Sequence, residues 1–268
     1  MRRSSLALLR CPRCGGGPLE AEGDKALLGF GPVRCATCHM AYPLAEGILD
    51  LLVPPDHAPP LRRSLAQRAM ELRPVARFYE RGLRPALSRL SLDAESERFL
   101  ARALLAPPPG APLLDLSCGT GHLARDLAMR PGAGPVFGLD RSAAMLEEAH
   151  HQLSESGATV ELIRADAAHL PFRDEVFAGV LDVAALHLYD EPSQVLAEVA
   201  RTLAPGGAFV CATLLEGLKP LDRLERKVGI RRFEEAELRR LCDEVGLVGF
   251  ERLLLPPWIV FRVTKPEV

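Results

Sequence analysis

Two closely spaced cysteine pairs near the start of the chain are its clearest chemical signal. Cys11-Pro-Arg-Cys14 and Cys35-Ala-Thr-Cys38 are separated by 20 residues, at the upper end of the spacing typical of zinc ribbons. Zinc prefers thiolate ligands in a tetrahedron, and two such pairs supply all four. We therefore predict a closed, structural Zn²⁺ site. Iron also accepts four thiolates, His39 is an alternative fourth ligand, and free or redox thiols are the alternative without a metal.

The segment around these cysteines is too short to fold on a core of its own. Residues 1–53 contain the pairs, several glycines and short apolar runs, and the stretch from Leu19 to Phe30 can form a hairpin between the two pairs. Metal binding would then supply the folding free energy of the segment. We expect loss of the metal to unfold this segment and to leave ligand binding by the rest of the chain largely intact.

A second group of reactive residues follows three apolar runs. Residues 113–121 read Leu-Leu-Asp-Leu-Ser-Cys-Gly-Thr-Gly, a buried strand that ends in a glycine-rich turn. Such a turn lets the backbone approach a ligand closely. Asp140 ends the next run, where a carboxylate can accept both ribose hydroxyls, and Asp166 follows the third run, in place to bind an adenine amino group. Each acid alone also suits a helix cap or a turn.

Alternating elements must position these residues. From residue 113 onward, apolar runs of strand length alternate with amphipathic helical stretches, which predicts a parallel sheet with helices on both faces. The last two runs, residues 250–255 and 258–263, are joined by Pro256-Pro257, and this short link favours an antiparallel hairpin. The earlier runs are residues 112–116, 136–139, 160–163, 176–183 and 208–213.

Proline-rich breaks divide the chain into three predicted parts. Residues 1–53 form the zinc ribbon, residues 54–109 a helical linker or lid, and residues 110–268 the α/β domain. Within 61–105, apolar residues three or four apart predict helices. The composition, 48% apolar and 25% charged, is that of a globular protein. No run approaches the roughly 20 apolar residues that cross a bilayer, so we expect a cytoplasmic protein with no membrane partner.

The motifs of residues 110–265 resemble those of the class I S-adenosylmethionine (SAM)-dependent methyltransferases, in the group of small-molecule and quinone-type enzymes. The glycine turn, Asp140, residues 166–172 and residues 201–207 occur in the family's order. The resemblance implies a Rossmann-like seven-stranded, mostly parallel sheet with an antiparallel C-terminal hairpin, and SAM as cofactor. The turn would surround the methionine part of SAM, and the two acids would bind ribose and adenine. Ser117 stands where the family usually has glycine.

Candidate site residues follow from this resemblance. His187, near the end of the fourth strand, is the candidate general base because an imidazole titrates near neutral pH, and a helix-start histidine is its alternative. Tyr79 is the second candidate catalytic residue, with half-buried packing as its alternative. A nicotinamide enzyme is the competing interpretation, but the chain lacks a full G-x-G-x-x-G. The predicted cofactor-binding residues are Asp115, Ser117, Gly119, Gly121, Asp140, Arg141, Asp166, Ala167 and Asp182.

The hypotheses about function differ mainly in the methyl acceptor. A four-cysteine ribbon before such a domain is similar to a ribosomal-RNA guanine methyltransferase family and to a group of bacterial and plastid zinc-ribbon methyltransferases. Residues 61–90 contain eight arginines and two glutamates, a patch that suits phosphate. The net charge of −2 argues against RNA, so we favour a small-molecule acceptor (O-, N- or C-methylation), with an RNA base as the second hypothesis. A non-catalytic zinc-ribbon adaptor is the third; the sequence does not indicate the oligomeric state.

Overall fold

The protein forms a mixed α/β structure. The computed structural model describes residues 1–52, 64–78, 94–217, 225 and 227–267. Its strands are β1 (Leu19–Ala21), β2 (Gly31–Cys35), β3 (Ala41–Ala45), β4 (Ile48–Asp50), β5 (Leu113–Leu116), β6 (Val136–Asp140), β7 (Glu161–Arg164), β8 (Phe177–Val183), β9 (Leu203–Leu214), β10 (Val248–Leu255) and β11 (Trp258–Thr264). Its α-helices are α1 (Leu65–Met70), α2 (Arg73–Phe78), α3 (Ala94–Leu105), α4 (His122–Ala128), α5 (Ala143–Ser156), α6 (Pro192–Thr202) and α7 (Glu235–Glu244).

All of these strands belong to one sheet, in the order β1-β2-β3-β4-β7-β6-β5-β8-β9-β11-β10. The neighbours from β4 to β9 in this order are parallel, whereas β11 runs antiparallel to both β9 and β10. Counted in sheet order, the seven strands β7-β6-β5-β8-β9-β11-β10 match the predicted Rossmann-like sheet with its antiparallel C-terminal hairpin. The predicted fold class is therefore confirmed, and each predicted apolar run overlaps one of these strands, with bounds that agree to within a few residues.

Burial explains why these runs form strands. Every residue of β5 is buried, as expected for a central parallel strand with helices on both faces. Phe137, Phe172 and Phe177 meet edge to face beneath the sheet, with ring centroids 4.8 to 5.7 Å apart. The Ser142 hydroxyl accepts a hydrogen bond from the Met145 amide at 3.3 Å and so caps the start of α5. These contacts fix the strand ends at which the candidate site residues lie.

The N-terminal strands extend the sheet, a feature that sequence analysis did not anticipate. Strand β4 pairs in parallel with β7, and Leu49 lies opposite Ile163. Leu49 is fully buried and Leu51 is almost so. The hydrophobic core that contains these leucines also contains Phe137 and Phe172. The cysteine-containing segment is thus continuous with the main sheet, both in hydrogen bonding and in apolar packing.

The predicted helical segment contains α1, α2 and α3. Helices α1 and α2 pack beside α5: the Ser142 hydroxyl donates to the Met70 carbonyl at 3.2 Å, and Arg73 pairs with Glu147 at 3.0 Å. The predicted boundary at residues 53 and 54 lies outside the described residues. No helix in the described part of the chain is long and apolar enough to span a membrane, and the cytoplasmic location stays a prediction.

Candidate functional site

A cleft opens at the carboxyl ends of β5, β6, β7 and β8, which is where open α/β sheets bind their ligands. Its empty space is about 870 Å³, including the open mouth. The glycine turn after β5 and the residues that follow β6, β7 and β8 form its walls, and α1 contributes a further side. Of the predicted cofactor-binding residues, six line this cleft: Ser117, Gly119, Asp140, Arg141, Asp166 and Ala167.

The two glycines of the turn serve different purposes. Gly119 lines the cleft with φ at +54°, and a Cβ added there would meet no described residue within 4 Å, so its backbone faces the cleft directly. Gly121 has φ at +76° and begins α4, and its Cβ would lie 3.2 Å from Ala149 of α5. Gly121 therefore allows α4 and α5 to pack closely and is not on the cleft wall.

Ser117 takes a left-handed conformation that is uncommon for a residue with a side chain. Its φ is +54°, equal to that of Gly119. The hydroxyl of Ser117 shares a hydrogen bond of 2.8 Å with the phenol of Tyr189, which also lines the cleft. This bond ties the glycine turn to the segment that follows β8.

Asp140 is held by backbone amides on both of its oxygens. Its Oδ1 accepts a hydrogen bond from the Ser142 amide at 2.8 Å, and its Oδ2 accepts one from the Gly119 amide at 2.9 Å. Burial raises the pKa of Asp140, and these amide bonds oppose that effect. A carboxylate has about four lone-pair positions, so Asp140 retains acceptor capacity toward a ligand in the cleft.

Arg141 and Asp166 form an ion pair on the cleft wall. Arg141 Nη1 donates to Asp166 Oδ2 at 2.5 Å, and Asp166 Oδ1 accepts from the Ala168 amide at 3.0 Å. Arg141 Nε lies 3.8 Å from Glu71 Oε1 and has no hydrogen-bond partner among the described residues. The guanidinium therefore lies between two acids, and its buried Nε makes no hydrogen bond within the described part of the chain.

Two of the predicted cofactor-binding acids are not on the cleft wall. Asp115 is 2% exposed, and its Oδ2 accepts a hydrogen bond from the Ala124 amide at 2.9 Å, which joins β5 to the start of α4. Asp182 is fully buried, and its Oδ1 accepts a hydrogen bond from the Leu186 amide at 3.1 Å. Burial raises the pKa of Asp182 to about 7. Both carboxylates therefore accept hydrogen bonds from the backbone of elements around the cleft and do not line it themselves.

His187 lies in the protein interior and not on the cleft wall. Its imidazole is within 3.4 Å of the Thr213 hydroxyl and packs edge to face on Trp258. Burial lowers its pKa to about 4, and the nearby Arg232 adds to the effect. An imidazole with that pKa is neutral and only weakly basic at pH 7, and the general-base role of His187 stays a prediction. Tyr79, the other candidate catalytic residue, lies outside the described residues.

Helix α1 contributes cleft residues that sequence analysis missed. Gln67 and Met70 line the cleft together with Glu71, which ends the helix. The side-chain amide of Gln67 donates through Nε2 to the Leu188 carbonyl at 2.7 Å, and this bond fixes α1 over the segment that follows β8. The helical spacing of apolar residues predicted a helix here, but no signal in the sequence shows which face contacts the sheet.

The four predicted metal ligands form a compact cluster. Their sulfur atoms all lie within 4.8 Å of one another, with 3.6 Å between Cys11 and Cys38 and 3.7 Å between Cys14 and Cys35. Four sulfurs at about 2.3 Å from a tetrahedral zinc stand about 3.8 Å apart, so the arrangement fits such an ion. His39 is exposed and does not belong to the cluster.

The surroundings of the cluster are shaped around the sulfur atoms. A Cβ on Gly17 would lie 2.3 Å from the sulfur of Cys35, so only glycine fits at that position. The Tyr42 phenol contacts the Cys11 sulfur at 3.0 Å, and the Cys38 amide approaches the Cys35 sulfur at 3.5 Å. Polar contacts to the thiolate ligands are a usual feature of structural metal sites.

The sheet order, the glycine turn and the acids after β6 and β7 define a class I SAM-dependent methyltransferase. A methyltransferase domain family matches residues 113–207. The chain is 31% identical to an uncharacterized chloroplastic methyltransferase of Arabidopsis thaliana, an alignment that covers 99% of this chain and 81% of the plant protein. The chain therefore belongs to this methyltransferase family, and the predicted enzyme class is confirmed.

Two further similarities concern the methyltransferase part of the chain. A demethylmenaquinone methyltransferase of Bacillus licheniformis is 41% identical over 109 residues, which cover 40% of this chain and 47% of that enzyme. Phosphoethanolamine N-methyltransferase 2 of Haemonchus contortus, solved in complex with SAM, superimposes with a TM-score of 0.56 at 16% identity and covers 64% of this chain and 52% of that one. The structural similarity establishes the fold.

Proposed function

We propose that the enzyme methylates a small-molecule acceptor, with SAM held in the cleft at the carboxyl ends of β5 to β8. The observation that carries this proposal is Asp140, whose carboxylate is fixed by the amides of Gly119 and Ser142 at the edge of a cleft of suitable size. SAM supplies the methyl group. Methyl transfer from a sulfonium depends mainly on alignment, so the chain acts chiefly by binding and orienting its ligands.

The residues of the cleft suit the three parts of SAM. Asp140 accepts hydrogen bonds from the ribose hydroxyls, a role for which its oriented oxygens are suited. Asp166, Ala167 and Arg141 bind the adenine end, since together they offer an acceptor, a small apolar surface and a guanidinium on the cleft wall. The backbone at Gly119 lies against the methionine part, where the absence of a Cβ leaves space.

The charge around the cleft favours an acceptor without phosphates. Among the described residues, Glu71, Asp140 and Asp166 line the cleft beside one cation, Arg141, and the adjoining depression also contains Asp190 and Glu191. A nucleic-acid strand requires cations that neutralise its phosphates, and the acids at this site oppose such binding. The similarity to a demethylmenaquinone methyltransferase points to a quinone-type ring as the first acceptor to test. RNA remains the second candidate because of the arginines in residues 61–90.

Label transfer separates these acceptors. Purified enzyme is incubated with SAM carrying a radiolabelled methyl group, in parallel with a demethylmenaquinone analogue and with unmodified ribosomal RNA. We expect the label in the organic extract of the first reaction and none in precipitated RNA. Label confined to RNA would overturn the small-molecule proposal. Absence of transfer to either acceptor, despite binding of SAM, would direct the search to other small molecules.

We also propose that Zn²⁺ occupies the four-cysteine cluster, since sulfur spacing and ligand type both suit it. Metal analysis of protein purified without added metal should find one zinc per chain. Iron in its place would show that the four thiolates hold a different ion.

A further inference from the structure

The N-terminal segment, residues 1–52, contacts the part of the chain that carries Asp166. We propose that this segment positions the adenine-binding loop, residues 165–173, so that filling the cysteine cluster raises the affinity of the enzyme for SAM. The inference rests on the proposed cofactor cleft and departs from the expectation that metal binding and ligand binding are independent.

The first connection runs through Asp50 and Arg164. Arg164 Nη1 donates to Asp50 Oδ2 at 2.8 Å, and Arg164 Nε donates to the Arg141 carbonyl at 3.0 Å. Asp50 ends β4 and Arg164 ends β7, directly before Ala165 and Asp166. One guanidinium therefore links the N-terminal segment to the carbonyl of Arg141, the residue after Asp140, and to the start of the loop that carries Asp166.

The second connection is a short backbone pairing next to a metal ligand. The Arg10 amide donates to the Pro171 carbonyl at 3.0 Å, and the Arg173 amide donates to the Leu8 carbonyl at 3.0 Å. Leu9 lies opposite Phe172 in this pairing, and both side chains are fully buried. The residue after Arg10 is Cys11, so an ion that fixes Cys11 also fixes residues 8–10, which pair with the end of the loop.

A buried acid anchors the other end of β7. Glu161 is fully buried and accepts hydrogen bonds from the Arg2 amide at 3.0 Å, from Arg2 Nε at 2.6 Å and from the Ser5 hydroxyl at 2.9 Å. A carboxylate that is buried with several donors couples the two segments firmly. Both ends of β7 are thus attached to the N-terminal segment, and the loop follows directly from its carboxyl end.

The consequence for binding is a matter of preorganisation. Residues 165–173 are held at both ends by contacts from the N-terminal segment, and Asp166 and Ala167 lie between them on the cleft wall. When the metal is absent, residues 8–11 lose their fixed geometry and the loop gains freedom. Binding must then order the loop again, which lowers affinity without changing any contact to the ligand.

The direct test compares the affinity for S-adenosylhomocysteine (SAH) of metal-loaded and chelated wild-type protein by calorimetry. We expect chelation to weaken SAH binding by about tenfold, within the usual range of coupling between two sites, and re-addition of Zn²⁺ to restore it. Hydrogen exchange should show faster exchange in residues 165–173 of the chelated protein, with the strands β8 and β9 unchanged. Equal affinities in the two states would overturn the inference.

A variant tests the same coupling without removing metal. Asp50→Asn keeps the shape of the side chain but weakens its bond to Arg164, and we expect SAH affinity to fall about three- to tenfold. Glu22→Gln is the matched control, because Glu22 is an exposed acid of the same segment that pairs only loosely with Arg34, at 3.6 Å; its affinity should equal that of wild type.

Asp50→Asn still tests the inference if chelation unfolds the whole chain, because this variant keeps its metal. Wild-type affinity in Asp50→Asn, with unchanged exchange in residues 165–173, would overturn the inference. If metal-loaded wild-type protein bound no SAH at all, the proposed cofactor cleft would itself be wrong. That result can be told apart from failure of the inference, in which all forms of the protein bind SAH equally well.

Discussion

Asp182 offers the sharpest test of the electrostatics beneath the cleft. The carboxyl is fully buried, and burial raises its pKa from the ordinary value of 3.8 to about 7. Asp182→Asn keeps the acceptor for the Leu186 amide, which the wild-type Oδ1 binds at 3.1 Å, and removes the ionisable group. The variant therefore isolates the free energy of ionising this one side chain.

The expected magnitude follows from the pKa. A group whose folded-state pKa is raised stabilises the protein fully below the unfolded pKa and loses that stabilisation as pH rises to the folded pKa. For Asp182 this window extends from 3.8 to about 7. Since one pKa unit corresponds to 1.36 kcal/mol, wild type should lose about 3 kcal/mol of unfolding free energy between pH 5 and pH 8 relative to Asp182→Asn.

Urea unfolding of zinc-loaded protein, followed by far-ultraviolet circular dichroism at pH 5 and pH 8, measures this difference. Other titrating groups, including His187, are the same in both proteins, so their contributions cancel in the comparison. The unfolding free energy of the variant should rise relative to that of wild type as pH rises. A stability difference that is the same at both pH values would show that Asp182 is ionised in the folded protein and would refute the reasoning.

Three further predictions concern the cofactor acid, the metal and the buried histidine. Asp140→Ala should weaken SAH binding by about 1–3 kcal/mol in calorimetry, with Glu244→Ala, an exposed acid of α7, as the unaffected control. Cys38→Ser should lower the metal content from one ion per chain to none and reduce the melting temperature, whereas Thr37→Ala should retain the metal. As pH falls from 6.5 to 5, wild type should lose about 2 kcal/mol of unfolding free energy relative to His187→Gln, because the pKa of His187 lies near 4 when folded; a stability difference that is the same at both pH values would contradict its burial as a neutral imidazole.

The sequence predicted the cleft because its residues lie at equivalent positions of successive parallel strands. Asp140 ends β6 and Asp166 follows β7, and the carboxyl ends of parallel neighbours meet at one edge of the sheet. Once each apolar run is assigned to a parallel strand, the acid that follows the run must lie at that edge of the sheet. The four cysteines were predictable for a related reason, since a tetrahedral ion requires ligands at fixed separations.

The remaining features depend on contacts that local patterns do not contain. His187 follows β8 closely in sequence, but the 3-10 helix Leu186–Leu188 directs its imidazole to Thr213 and Trp258 and away from the cleft. The pairing of β4 with β7 joins Leu49 to Ile163, which are far apart in the chain. Both outcomes depend on how distant elements pack against each other, and neither residue type nor spacing records that.

Ser117 bears on whether the turn can still bind SAM. Serine in place of the glycine usual in the family is the one feature of the sequence that favours a degenerate, non-catalytic fold. The structure shows that Ser117 adopts the left-handed conformation a glycine would take, with φ at +54°, and that its hydroxyl bonds to Tyr189. The backbone path to Gly119 is therefore kept, and the Gly119 amide still reaches Asp140 at 2.9 Å. Serine at this position thus costs some backbone strain, but it leaves the turn and the acid in contact, and the adaptor hypothesis loses its basis.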